Sequence, residues 1–130
     1  MTVKKCLLKR FSFISSSSNS AFISSGGQII DSLITYGGQI FIRGGFGSNM
    51  TVSGGARYGF GGDLIVESGG IAEKIYVDYE GDLSIGQNGN VQDTTVKYLG
   101  HMYVNRGGSA SSTVIESSGL LAISSATPSA

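Results

Sequence analysis

Residues 63–119 break at their glycines into six pieces: 63–70 DLIVESGG, 71–81 IAEKIYVDYEG, 82–89 DLSIGQNG, 90–100 NVQDTTVKYLG, 101–108 HMYVNRGG and 109–119 SASSTVIESSG. Segments of eight alternate with segments of eleven, so Gly62, Gly81, Gly100 and Gly119 fall 19 residues apart, as do Gly70, Gly89 and Gly108. A fixed period of this length marks a repeat architecture. Each segment is a run of about five residues with apolar alternation closed by a glycine-rich turn, which is a strand pattern and not a helical one. A lone short strand is unstable. Stacking equivalent strands in parallel solves this, because each copy covers the apolar face of its neighbour. The expected fold is all-β: a single-stranded, right-handed parallel β-helix (β-solenoid) of about six coils of 19 residues, each with two main strands and two turns.

Residues 19 apart should then lie directly above one another. Leu64, Leu83 and Met102 make one apolar column, Val66, Ile85 and Val104 a second, and Val77, Val96 and Ile115 a third, with Ala72, Val91 and Ala110 as a column of small residues. Each coil is expected to bury about four aliphatic side chains, each contributing on the order of 1.5–3 kcal/mol before chain entropy is subtracted. On the outside, Asp78, Lys97 and Glu116 would form a ladder of alternating charge that fixes register, with Lys74 over Asp93. Tyr79 and Tyr98 would stack as a tyrosine pair at a turn, a candidate surface-binding feature.

The first half follows the plan less regularly. It reads QIIDSLITYGG, QIFIRGG, FGSNMTVSGG and ARYGFGG over residues 28–62, which implies shortened segments and one long segment missing after Gly62. The organisation expected is a basic, serine-rich N-terminal segment or cap over 1–22, the repeat domain over 23–123 and a flexible tail over 124–130.

Composition agrees with a solenoid. Of the 130 residues 21 are glycine and one is proline, without the strict third-residue glycine of collagen, and mean hydropathy is +0.13 with 40% apolar residues, too apolar for a disordered chain. Nine basic residues balance nine acidic ones, which argues against a general nucleic-acid binder. Four of the cations (Lys4, Lys5, Lys9, Arg10) lie in the first ten residues, leaving the body mildly acidic. Cys6 has no cysteine partner for a disulfide or a metal site. No apolar run reaches the 18 residues of a spanning helix. Lys9 and Arg10 interrupt the short apolar run after residues 1–5, so no intact secretion signal is read, and no barrel strands are read before Ala130.

Alternating short and long segments ending in Ser-Gly-Gly or its variants, with Thr94-Thr95-Val96 and Thr113-Val114-Ile115 in the long ones, resemble the passenger repeats of AIDA-type autotransporter adhesins. The resemblance covers residues 23–123. It implies an extracellular parallel β-helix, exported through a C-terminal outer-membrane β-barrel, that binds host-cell or bacterial surface receptors or like chains. It also implies a protein O-heptosyltransferase as partner, with Ser111 and Ser112 as candidate O-glycan acceptors. A structural stalk without a ligand is the alternative, and a polysaccharide-active β-helix enzyme the third reading.

The residues offer little to an enzyme and imply no cofactor. Asp63 and Asp82 share a column that His101 continues, but a glycosidase needs two carboxylates across a cleft, and stacked acids on a solenoid are ordinarily solvated. Residues 44–50, GGFGSNM, are similar to the glycine-rich calcium nonapeptide, with Asn49 at the aspartate position, yet only one copy occurs. No G-x-S-x-G elbow surrounds any serine, so the hydroxyls of Ser111, Ser112, Ser117 and Ser118 are not read as nucleophiles.

Overall fold

The computed structural model describes residues 2–3, 7–8, 12–15, 20–35, 37–54 and 61–123. Cys6, Ser16 to Ser18 and the tail over 124–130 lie outside the described residues. In chain order the strands are β1 (Thr2–Val3), β2 (Leu7–Leu8), β3 (Ser12–Ser15), β4 (Ser20–Ile23), β5 (Gln28–Thr35), β6 (Gln39–Arg43), β7 (Phe46–Ser53), β8 (Asp63–Glu67), β9 (Ile71–Asp78), β10 (Asp82–Ile85), β11 (Asn90–Val96), β12 (His101–Val104), β13 (Ser109–Ile115) and β14 (Leu120–Ile123). They form two parallel sheets. The short strands stack in the order β1-β4-β6-β8-β10-β12-β14, and the long ones in the order β13-β11-β9-β7-β5-β2, with β3 also beside β5. The chain is a β-solenoid.

Pairing follows the period. Leu83 lies between Leu64 and Met102, Ile85 between Val66 and Val104, Val91 between Ala72 and Ala110, and Val96 between Val77 and Ile115. The coil count is slightly smaller than expected. Five complete coils run from β4/β5 to β12/β13, while β14 opens another and β1 to β3 precede them in the same sheets. Nor is a long segment missing after Gly62. Gln39 pairs directly with Asp63, and Gly62 donates its N–H to the carbonyl of Ser53 at 3.0 Å, just as Gly81 does to Asp78 at 2.9 Å. The long segment of this coil is therefore β7 itself, and residues 55–60 lie outside the described residues.

The long strands contain a feature that simple alternation misses. Their pairing steps over Asp31, Asn49, Lys74, Asp93 and Ser112, one residue per coil, and all five have left-handed φ between 53° and 59°. A single left-handed residue turns the strand through a corner and resets which side chains face inward. Hence Ala72, Ile75 and Val77 are all buried although their spacing is three and then two. Asn and Asp tolerate this conformation best, and they fill three of the five places.

In each of the first four coils at least four aliphatic side chains are fully buried: Ala21, Ile23, Ile29 and Ile34, then Ile40, Ile42, Met50 and Val52, then Leu64, Val66, Ala72, Ile75 and Val77, then Leu83, Ile85, Val91 and Val96. The fifth coil departs from the expectation of four. Met102 is buried, but Val104 is only partly so and Ile115 is 38% exposed, because among the described residues only the half-coil β14 lies beyond them.

Ser32, Thr35, Ser53 and Thr94 are polar residues buried among the described ones, Thr94 the most completely. Thr94 is 1% exposed between Ile75 and Thr113 in register, and its Oγ1 has no hydrogen-bond partner. Burying an unpaired hydroxyl costs about 1–3 kcal/mol. Thr94→Val keeps the β-branched shape and removes the hydroxyl, so the denaturation midpoint should rise by about 1 kcal/mol or more in stability. A fall in the midpoint would mean that the hydroxyl is satisfied.

Candidate functional site

Regular stacking gives every outward position a column, and three groups of columns carry chemistry. The first lies on the short-strand sheet. Ser20, Gln39, Asp63, Asp82 and His101 occupy successive coils in one column, joined by Ser20 Oγ donating to Gln39 Oε1 (3.5 Å), Gln39 Nε2 donating to Asp63 Oδ2 (3.4 Å), and His101 Nδ1 lying 2.9 Å from Asp82 Oδ1. Burial pushes the Asp63 carboxyl above its ordinary range; the Gln39 hydrogen bond opposes this, and the neighbouring charge of Asp82 adds to it.

A carboxyl whose folded pKa is raised stabilises the protein only at low pH, and that contribution is lost as pH rises through the folded value. Asp63→Asn should therefore melt at a higher temperature than the parent at pH 7, with the difference shrinking to nothing as pH falls below the ordinary carboxylate range. Thermal melts across pH 3–7 check this, and a parent that is the more stable at pH 7 would contradict it.

Beside the polar column runs an aromatic one. Phe22 and Phe41 stack with ring centroids 4.9 Å apart and planes at 10°, and the Arg43 guanidinium covers them at 5.4 and 4.9 Å while its Nε reaches Glu67 Oε2 at 2.7 Å. Tyr103 continues this column after Ile65 and Ser84, with the His101 ring 6.2 Å away. Burial raises the Tyr103 hydroxyl pKa, with Asp82 and then Glu80 adding to the shift.

The second group lies at the turns that follow the long strands. Tyr79 and Tyr98 meet edge to face with centroids 5.8 Å apart and are 49% and 53% exposed. Asp78, Lys97 and Glu116 occupy equivalent places in three coils, Lys97 N–H donating to the Val77 carbonyl and Glu116 N–H to that of Val96. The Lys97 ammonium lies 5.2 Å over the Tyr76 ring, and one Asp78 carboxylate oxygen is buried without a hydrogen-bond partner. Among the described residues Arg43 and Glu67 form an ion pair, and Asp82 and His101 a close polar contact. Lys74 and Asp93 are exposed at the left-handed corners. Asn49 occupies the same corner column, where its amide donates to Asp31 Oδ1 at 2.5 Å. No group of three or more His, Cys, Asp or Glu side chains able to hold a metal occurs among the described residues.

The third group is the last long strand. Ser111 and Ser112 are exposed there, Ser112 at the corner, whereas the Thr113 hydroxyl oxygen is buried.

No protein-family model matches the sequence, and no curated protein does. Among solved structures, the crystal structure of the TibC-catalysed, hyper-glycosylated TibA fragment aligns with a TM-score of 0.76 over 96% of this chain, at 26% sequence identity. The resemblance to AIDA-type repeats holds in three dimensions. The chain spans about half, 48%, of the TibA structure. In this array, the Thr94-Thr95-Val96 piece is the arm beyond the corner: Thr94 and Val96 point inward, while Thr95 is half-buried. No helix among the described residues is long and apolar enough to cross a membrane.

Proposed function

We propose that this chain is a non-catalytic part of an AIDA-type autotransporter adhesin passenger, displayed at the cell surface or released from it. Adhesion would be to surface receptors or to like chains. The observation that carries the reading is the join of a 19-residue column structure from Asp63 onward with the fold of the glycosylated TibA fragment. Columns present polar and aromatic side chains at every coil, so many weak contacts act together and their avidity exceeds any single one. The exposed pair Tyr79–Tyr98 and the turn positions Asp78, Lys97 and Glu116 supply such a surface, where Lys97 also rests on Tyr76.

Ser111 and Ser112 are the proposed acceptors for a protein O-heptosyltransferase, because both are exposed and the similar TibA fragment is itself glycosylated by TibC catalysis. Co-expression with such a transferase, followed by intact-mass measurement of the parent and of a Ser111→Ala/Ser112→Ala variant, tests the assignment.

For adhesion, cells displaying the chain should clump or bind host cells, and Lys97→Glu should weaken that without changing the melting temperature by more than a few degrees. A monodisperse rod indifferent to cells would instead favour the stalk.

A further inference from the structure

Aromatic rings on the short-strand sheet differ in what covers them. Phe22 and Phe41 stack on each other, with the Arg43 guanidinium over both rings. Tyr103 has no such partner in its column: its register neighbours are Ser84 on one side and Ala122 on the other, both too small to cover a phenol ring. The ring is half-buried at its base, and its one aromatic neighbour is His101, tilted at 38°. His101 is itself held by Asp82. With Nδ1 engaged by the carboxylate, no further hydrogen bond of the ring is formed among the described residues.

A partly exposed aromatic ring with only small neighbours in its column, beside a fixed carboxylate and imidazole, is the chemistry that recognises a sugar. The C–H face of a pyranose packs on the ring, and its hydroxyls donate to planar acceptors at the edge. Further along the same column, in the preceding coils, lie Asp63 and Gln39, a carboxylate and an amide, at a rise of about 4.8 Å per coil. That rise is close to the advance per sugar of an extended β-linked pyranose chain.

We propose that Tyr103, His101 and Asp82 form a saccharide subsite, and that a β-linked oligosaccharide lies along the short-strand sheet with successive sugars meeting successive coils. This deepens the adhesin reading by naming a ligand class, and it rests on that reading only for its biological use. Asp82 is oriented by His101 and Asp63 by Gln39, which fixes both carboxylates as acceptors for sugar hydroxyls.

The chain has one histidine, so its ring protons report on the site without assignment. Cellotetraose titrated into the purified chain should shift the His101 ring resonances saturably, while maltotetraose, whose α-linkages curl the chain away from a flat surface, should bind at least tenfold more weakly. Tyr103→Ala should weaken cellotetraose binding at least tenfold, Tyr103→Phe should retain it, and Tyr79→Ala should leave it unchanged. The proposal fails if cellotetraose produces no saturable shift, if Tyr103→Ala binds like the parent, or if both sugars bind alike. Because the assay uses purified protein, cell clumping can fail while this binding succeeds, and the reverse.

Discussion

Gly89→Ala is expected to destabilise the solenoid by at least about 3 kcal/mol, or to prevent folding, although Gly89 needs no left-handed backbone. A Cβ at this position would sit 2.1 Å from the carbonyl oxygen of Val66, one coil below, and 2.7 Å from its carbonyl carbon. Backbone cannot move aside without separating the coils. The same holds along the whole rhythm: Gly70 meets the Ile42 carbonyl at 2.2 Å, Gly81 that of Val52 at 2.2 Å and Gly100 that of Val77 at 2.3 Å. Gly69→Ala is the contrasting variant. Its φ is +89°, but an added Cβ would meet only the Gly44 Cα at 3.9 Å, so the loss should stay near 1–2 kcal/mol, the cost of left-handed strain. Chemical denaturation of both variants decides the matter. If Gly69→Ala proves the more damaging, turn conformation and not coil contact sets the glycine period.

That contrast explains how much could be read in advance. The 19-residue period locates the strands, their parallel register and the inward columns, because a stacked fold forces equivalent residues to meet. It does not explain its own glycines. In the turns, left-handed φ is carried as readily by Ser68, Asn88, Leu99 and Ser118, while the period-keeping glycine is the residue pressed against the previous coil. The corners at Asp31, Asn49, Lys74, Asp93 and Ser112 were hidden for a different reason. Alternation assumes an unbroken strand, and a single left-handed residue shifts the phase without leaving a gap in the apolar pattern. Asp31, Asn49 and Asp93 were the available signal, since these types favour that conformation.

The candidate sites were legible to the extent that they follow from register. The column Asp63, Asp82 and His101 is a matter of counting, and the structure brings Asp82 and His101 within 2.9 Å. Tyr79 and Tyr98 likewise meet. Where a flexible side chain goes is not a matter of counting: Lys97 rests on Tyr76, and Arg43 reaches across to Phe22, Phe41 and Glu67. That Tyr103 stands between two small neighbours, Ser84 and Ala122, could have been found by following outward columns as closely as inward ones.

The second large effect is expected at Leu83. Its side chain is fully buried in a middle coil with Leu64 below and Met102 above, and it shares the interior with Ile85, Val91 and Val96 of its own coil. Leu83→Ala leaves a cavity that rigid, hydrogen-bonded coils on both sides cannot close, so the loss should fall in the range of about 2–5 kcal/mol. In a solenoid each coil is stabilised by its two neighbours, and weakening a middle coil loosens both interfaces together. The same truncation at the end of the stack should behave differently. Leu121 occupies the equivalent column position beyond Met102 but is 37% exposed, and Leu121→Ala should cost less than about 1 kcal/mol. Hydrogen exchange adds the spatial readout: in Leu83→Ala, protection should fall in the strands β8 to β13 on either side of the cavity, whereas in Leu121→Ala it should fall only in β12 to β14. Equal losses for the two variants would mean that the chain unfolds as one unit whose stability does not depend on where the stack is weakened, and would argue against coil-by-coil stabilisation.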